Sequence, residues 1–163
     1  MKKIFVYPLN IIYYLFFGFF LTFFHLVQVI SLNLGGYNAQ KKSVDYLNYV
    51  LLRCLNLLGN LVVFHKSSDV PERVPIIFVA NHQSTYDIPP LFWYLRQYHP
   101  KFISKIELSK GIPSISYNLR NGGHLLIERS DSEGSLKKIE EFACLIDEKC
   151  WSVVIFPEGT RSR

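Results

Sequence analysis

Between Ile4 and Gln40 the chain carries no Asp, Glu, Lys or Arg, and Leu9 to Leu34 is dominated by Ile, Leu, Phe, Tyr and Val. A segment of that kind has to be buried in protein or in lipid, which makes it the strongest constraint on the fold. It exceeds the roughly 20 apolar residues that cross a bilayer core. A cleaved signal peptide fits poorly, because the apolar part is too long and no small-residue cleavage site follows it. Lys2 and Lys3 on one side are balanced by Lys41 and Lys42 on the other, so the charge rule for orientation is nearly neutral and a monotopic insertion is expected. The composition agrees: aromatics reach 15% and mean hydropathy is positive, yet the remaining charges sum to +5, so the apolar excess is concentrated at the front.

After Gly35 and Gly36, Ser43 is placed to cap a second helix, with Leu47, Val50, Leu51, Cys54, Leu55 and Leu58 at helical spacing and Gly59 at its end. The expectation is a hairpin folded at the glycines. Its first helix enters lipid, and its second lies near the interface or packs as an ordinary core-facing helix. His25 and Gln28 are expected to snorkel, and no chemistry is assigned to them.

The rest reads as strands alternating with helices. Strands are expected at 61–64, 75–80, 101–104, 124–128 and 152–156, and helices from Ser84 and over 135–146. The run 75–80 is continuously apolar, the pattern of a strand buried on both faces. This predicts an α/β fold with a mixed, largely parallel sheet and crossover helices, preceded by a membrane-associated hairpin. The division is an anchor at 1–59 and a second domain at 60–163. Cys54, Cys144 and Cys150 have no ligand spacing, and neither a disulfide framework nor a zinc site is indicated. The lysines are scattered, with no basic strip of the nucleic-acid kind; a positive chain with an apolar end suits an anionic lipid surface.

The chemistry is expected in Asn81 to Asp87, NHQSTYD, at the carboxyl end of the second strand. Asp87 follows His82 by five positions, and a tight turn would bring its carboxylate to the imidazole, making a general base. A plainer reading stands beside it: Ser84 to Asp87 is a capping box and His82 merely ends a strand. Lys105, Arg129 and Arg161 also sit at strand ends, where a solvated side chain is the ordinary outcome. If the strands are parallel, His82 and the arginines converge on one rim, where two guanidinium groups suit a phosphate. Pro157 to Thr160 is either a plain turn or an anion cradle, in which Gly159 lets backbone amides come close.

Three blocks, NHQSTYD, GGHLLIERS (Gly122 to Ser130) and FPEGTRS (Phe156 to Ser162), resemble in order and separation those of the glycerolipid acyltransferases, most of all the lysophosphatidic acid acyltransferases. The resemblance covers about residues 60 to 163. It implies transfer of a fatty acyl group from acyl-CoA or acyl-carrier protein to the hydroxyl of lysophosphatidic acid, giving phosphatidic acid. His82 would be the base and Asp87 its orienting partner. Arg129, Gly159, Thr160, Arg161 and Lys105 would bind the acceptor phosphate; Glu158, grouped with them, would hold an arginine or meet the acceptor hydroxyl. No metal or cofactor is needed, and no nucleic acid is a partner. Acceptor and product are membrane lipids, so the rim is expected at the cytoplasmic face of the membrane. The second block departs from the family pattern at His124 and Glu128, which bears on acceptor details. The family pattern continues past the third block, so the expectation is that the chain is incomplete after Arg163. Two other readings stay open: a different acceptor, such as glycerol 3-phosphate or another lysophospholipid, and a non-catalytic, membrane-anchored binder of lipid phosphates.

Overall fold

The computed structural model describes residues 2–67, 69–72, 74–128 and 130–160. Helix α1 (Lys2–Leu57) is two arms, residues 2–35 and 37–57, joined at Gly36, whose φ of 67° and ψ of −164° belong to a region that only glycine occupies readily. The arms fold back on each other, as the hairpin reading expects. Tyr13 is buried against Leu52, Cys54 and Leu55, and Leu21 against Leu47 and Leu51, so apolar spacing on both arms closes one seam. The second arm ends where Asn60 and Gly59 donate to the carbonyls of Leu55 and Asn56.

Four strands form one parallel sheet in the order β1-β4-β2-β3: β1 (Ile77–Val79), β2 (Pro100–Lys105), β3 (Leu125–Ile127) and β4 (Ser152–Ile155). Every described pairing is parallel, so the carboxyl ends lie along one rim. Helix α2 (Ile88–Tyr94) opens with its prolines in the first turn, where a missing amide hydrogen costs nothing. It lies on one face of the sheet, where Leu91 and Phe92 meet Phe102, Val154 and Phe78. Helix α4 (Ser132–Glu148) covers the other face, with Phe142 and Ile146 against Leu125 and Val153. Asp131 caps it by accepting the Gly134 amide at 2.9 Å. The hairpin packs beside α2, so the apolar arms and the sheet share cores: Tyr86, Trp93 and Tyr94 join the Tyr13 cluster.

Several expectations are corrected. Residues 61–64 form no strand, and their side chains are largely exposed. The strand in the run 75–80 is an edge strand rather than one buried on both faces. Phe78 points into the α2 side, but Ile77 and Val79 are 68% and 65% exposed, because α4 reaches only the Leu125 and Val153 side of the sheet. The helix expected over 135–146 forms, but of its apolar residues Phe142 and Ile146 are buried while Leu136 and Ile139 are exposed. A further short helix, α3 (Ile115–Asn121), lies between β2 and β3.

The outward side of the first arm carries Tyr7, Ile11, Leu15, Phe19, Phe23, Leu26, Ile30 and Leu34, all exposed and spaced three or four apart. That spacing is a single helical face. The segment from Tyr7 onward is long and apolar enough to cross a membrane.

Candidate active site

His82 lies three residues past β1, just after Ala80, whose amide prolongs the β1–β4 ladder by donating to Ile155 at 3.1 Å. The chain then turns into a 3-10 turn, Thr85–Asp87, capped by Ser84, whose hydroxyl accepts the Tyr86 amide at 3.2 Å. The capping box and the contact between Asp87 and His82 are made by the same carboxylate oxygen. Asp87 Oδ2 accepts the amides of Gln83 and Ser84 at 2.8 Å each, closing the capping box, and stands 3.1 Å from His82 Nδ1. A carboxylate held by two backbone amides cannot swing away, so it fixes the orientation of the imidazole. The His82 ring also stacks on Phe156, with centroids 4.4 Å apart and planes 26° apart. Phe156 leaves β4 next to β1 in the sheet, which is how the first and third sequence blocks meet.

An open cleft of about 490 Å³ is lined by Asp87 of this pair. Its apolar wall is Leu55, Val62, Ala80, Pro90 and Leu91, and Asp87, Tyr86 and Asn81 lie at its polar side. Ligand clefts of roughly 300–1,000 Å³ with a few convergent polar groups are typical of binding sites. Tyr86 is tied to the first arm through its hydroxyl, 3.3 Å from that of Tyr14, and by an edge-on contact with Tyr13.

Of the other expected site residues, Lys105 is exposed at the carboxyl end of β2. Glu158, Gly159 and Thr160 form an exposed turn after β4. Gly159 has a φ of 62°, and its amide donates to the Phe156 carbonyl at 2.9 Å, so that amide is committed to the turn. Arg129 and Arg161 lie outside the described residues.

Residues the sequence reading left unassigned form a second polar cluster at the opposite, amino-terminal edge of the sheet. Lys101 is 4% exposed and donates to Tyr37 Oη at 2.7 Å and the Gly122 carbonyl at 2.6 Å. Its ammonium also lies over the rings of Tyr37 and Trp151, at 4.7 and 4.0 Å. Burial, with Lys41 nearby, pulls it down to about 7. His124, the departure in the second block, accepts the Phe102 amide at Nδ1, and burial, then the Lys101 charge, brings it down to about 3. Both side chains are structural: they fasten the bend of the hairpin and the start of β2. The signal for them in the sequence was a lone lysine opening a strand and a lone histidine in a strand, neither of which points to its partners.

A parallel sheet whose rim carries an oriented His–Asp pair beside an apolar cleft defines an α/β protein with the geometry of a general base. The sequence model of the acyltransferase family matches residues 61–163, and the chain belongs to that family. It is 41% identical over 92 residues to a 1-acyl-sn-glycerol-3-phosphate acyltransferase of Chlamydomonas reinhardtii, an alignment covering 56% of this chain and 26% of that protein. It is 38% identical over 90 residues to the enzyme of the same name from Helicobacter pylori, covering 53% and 35%. The alignments thus span about a quarter to a third of those relatives' length. The crystal structure of the 1-acyl-sn-glycerophosphate (LPA) acyltransferase PlsC from Thermotoga maritima superposes with a TM-score of 0.77 at 26% identity, over 99% of this chain and 64% of that one. Its likeness therefore includes the hairpin as well as the sheet.

Proposed function

We propose that this chain carries the catalytic core of an acyltransferase that moves a fatty acyl group from a thioester, acyl-CoA or acyl-carrier protein, to the free hydroxyl of lysophosphatidic acid. The observation that carries this reading is the His82–Asp87 pair, at 3.1 Å, on the sheet rim. With Nδ1 facing Asp87, Nε2 is the ring nitrogen that takes the hydroxyl proton as the oxygen attacks the thioester carbonyl. The tetrahedral intermediate collapses, the C–S bond breaks, and the thiolate leaves with the proton carried by the imidazolium. Asp87 stabilises that imidazolium and holds the productive tautomer. General base assistance of this kind is worth about 10²- to 10⁴-fold, the rest of the acceleration coming from positioning of two bound substrates. The apolar cleft beside Asp87 suits an acyl chain, and Lys105 at the end of β2, together with Arg129 and Arg161 of the second and third sequence blocks, would supply the positive charge for the acceptor phosphate. Glu158, Gly159 and Thr160 shape that rim.

The outward apolar face of the first arm supports membrane association, and in this reading the rim works at the cytoplasmic surface. The test is transfer from a labelled acyl thioester in membranes carrying the polypeptide, with lysophosphatidic acid, glycerol 3-phosphate and a lysophosphatidylcholine as acceptors. Labelled phosphatidic acid formed with the first in clear preference supports the reading. Preference for another acceptor, or no product with any, overturns it.

A further inference from the structure

His25 and Gln28 of the first arm turn toward Ser114 rather than snorkel. Gln28 and Ser114 are both fully buried, and Gln28 Nε2 donates to Ser114 Oγ at 2.5 Å. One turn earlier, His25 Nδ1 accepts the Ser114 amide at 3.2 Å, and its ring meets that of Tyr117 edge-on at 5.5 Å. An unpaired amide or imidazole in apolar surroundings is costly, so two such groups on successive turns converging on one distant residue are a specific contact rather than chance. Ser114 itself has φ 63° and ψ −55°, a strained conformation for a non-glycine residue that persists only where its surroundings over-determine it.

The strained serine is wired to the rim. The Ile112 amide donates to Ser116 Oγ at 3.0 Å, and Ser116 Oγ donates to the Leu108 carbonyl at 2.9 Å. The Arg120 guanidinium donates to the Ser109 carbonyl. These bonds fold the segment back onto the turn Ile106–Ser109, whose first flanking residue is Lys105. Ile112 and Ile115 pack on Leu21, Leu47 and Leu51, but apolar packing alone leaves the arm free to slide or rotate, since it presents apolar side chains nearly all round. The two polar contacts select one register.

We infer that His25 and Gln28 are positioning residues: through Ser114 they set the place of the Lys105 turn on the rim, and so the affinity for the acceptor's phosphate. This rests on the acceptor reading of Lys105 given above. The hairpin is then a working part of the acceptor side, not only an attachment.

The experiment compares the protein in its membranes with His25→Leu and Gln28→Met, which remove the polar partner, and His25→Asn, which returns an acceptor near the Nδ1 position. The first two are expected to raise KM for lysophosphatidic acid about tenfold, as for loss of part of one charge-assisted contact. The kcat and the KM for the acyl thioester stay within about twofold, and His25→Asn recovers most of the loss. In a Lys105→Ala background, His25→Leu adds no further rise, because both act through one contact. Hydrogen exchange speeds up at residues 106–116 in His25→Leu and is unchanged at 82–87. An unchanged KM, a parallel fall in kcat with both KM values, failure of His25→Asn to rescue, or full additivity with Lys105→Ala overturns the inference. If the unaltered protein transfers no acyl group, the functional reading fails. The clamp is then judged by exchange at 106–116 and by binding of lysophosphatidic acid alone, and unchanged values of both refute it.

Discussion

His82 Nδ1 lies 3.1 Å from Asp87 Oδ2, an oxygen that also receives the amide hydrogens of Gln83 and Ser84 at 2.8 Å each. One carboxylate oxygen thus closes the capping box of the turn and orients the histidine. In the proposed mechanism local folding and catalysis are tied to a single atom, and one substitution can tell the two roles apart. Asp87→Asn keeps the shape but places an amide where a charge stood. It is expected to lower kcat by about 10²-fold or more through the wrong tautomer, and stability by only about 0.5–2 kcal/mol, the range of a lost cap. Transfer kinetics and thermal unfolding of the same preparation check this. A variant with unchanged kcat would remove Asp87 from the mechanism.

Phe156 stacks on His82 at 4.4 Å and also touches the Phe102 ring, so it supports the imidazole from the face that Asp87 does not reach. Phe156→Leu keeps an apolar group in the core and loses the flat support. A fall in kcat of roughly tenfold is expected, with unfolding free energy reduced by about 1–2 kcal/mol, whereas Phe156→Ala costs about 3 kcal/mol or more. The ratio of kcat to stability loss across the two variants is the measurement.

Lys101 binds its proton less tightly in the fold, at about 7, than the usual lysine at 10.5. The unfolded chain therefore holds the extra proton between pH 7 and 10.5. Stability rises with pH across that window and levels off below it, by up to a few kcal/mol at ~1.4 kcal/mol per unit. Lys101→Met should abolish that part of the slope in unfolding measured from pH 7 to 10. His124 and His99, held near 3 and 4 by burial, act in another window: stability falls as pH drops from 6.5 toward those values. Imidazole resonances of both should still report neutral rings at pH 5.

Gly36 joins the two arms at φ 67° and ψ −164°. Gly36→Ala puts a side chain into a backbone conformation that costs about 1–3 kcal/mol, so the melting temperature in detergent should fall while Gly18→Ala, in a regular stretch with open space, leaves it unchanged or raises it. Equal melting temperatures for Gly36→Ala and the unaltered protein would show that the bend can form without a glycine.

How much of this was legible in the sequence depended on range. The bend at Gly36, the His82 and Asp87 spacing and the strand-end placement of the motif blocks are local, and local chemistry wrote them plainly. Strand order is not local. The pairing β1-β4-β2-β3 puts the first strand at an edge, where Ile77 and Val79 are exposed, although their run reads as doubly buried. Lys101 and the pair His25 and Gln28 are paired with residues far along the chain, so their side chains look solvated or snorkelling until the hairpin is folded against the sheet. The helix Ile115–Asn121 has too few residues for its period to stand out.

The central claim is that His82 is the base for acyl transfer, and single-turnover transfer by His82→Ala tests it most directly. With labelled acyl thioester and lysophosphatidic acid both bound, the variant should form phosphatidic acid about 10²- to 10⁴-fold more slowly than the unaltered protein while binding lysophosphatidic acid equally well. Product formation at an unaltered rate would contradict the account.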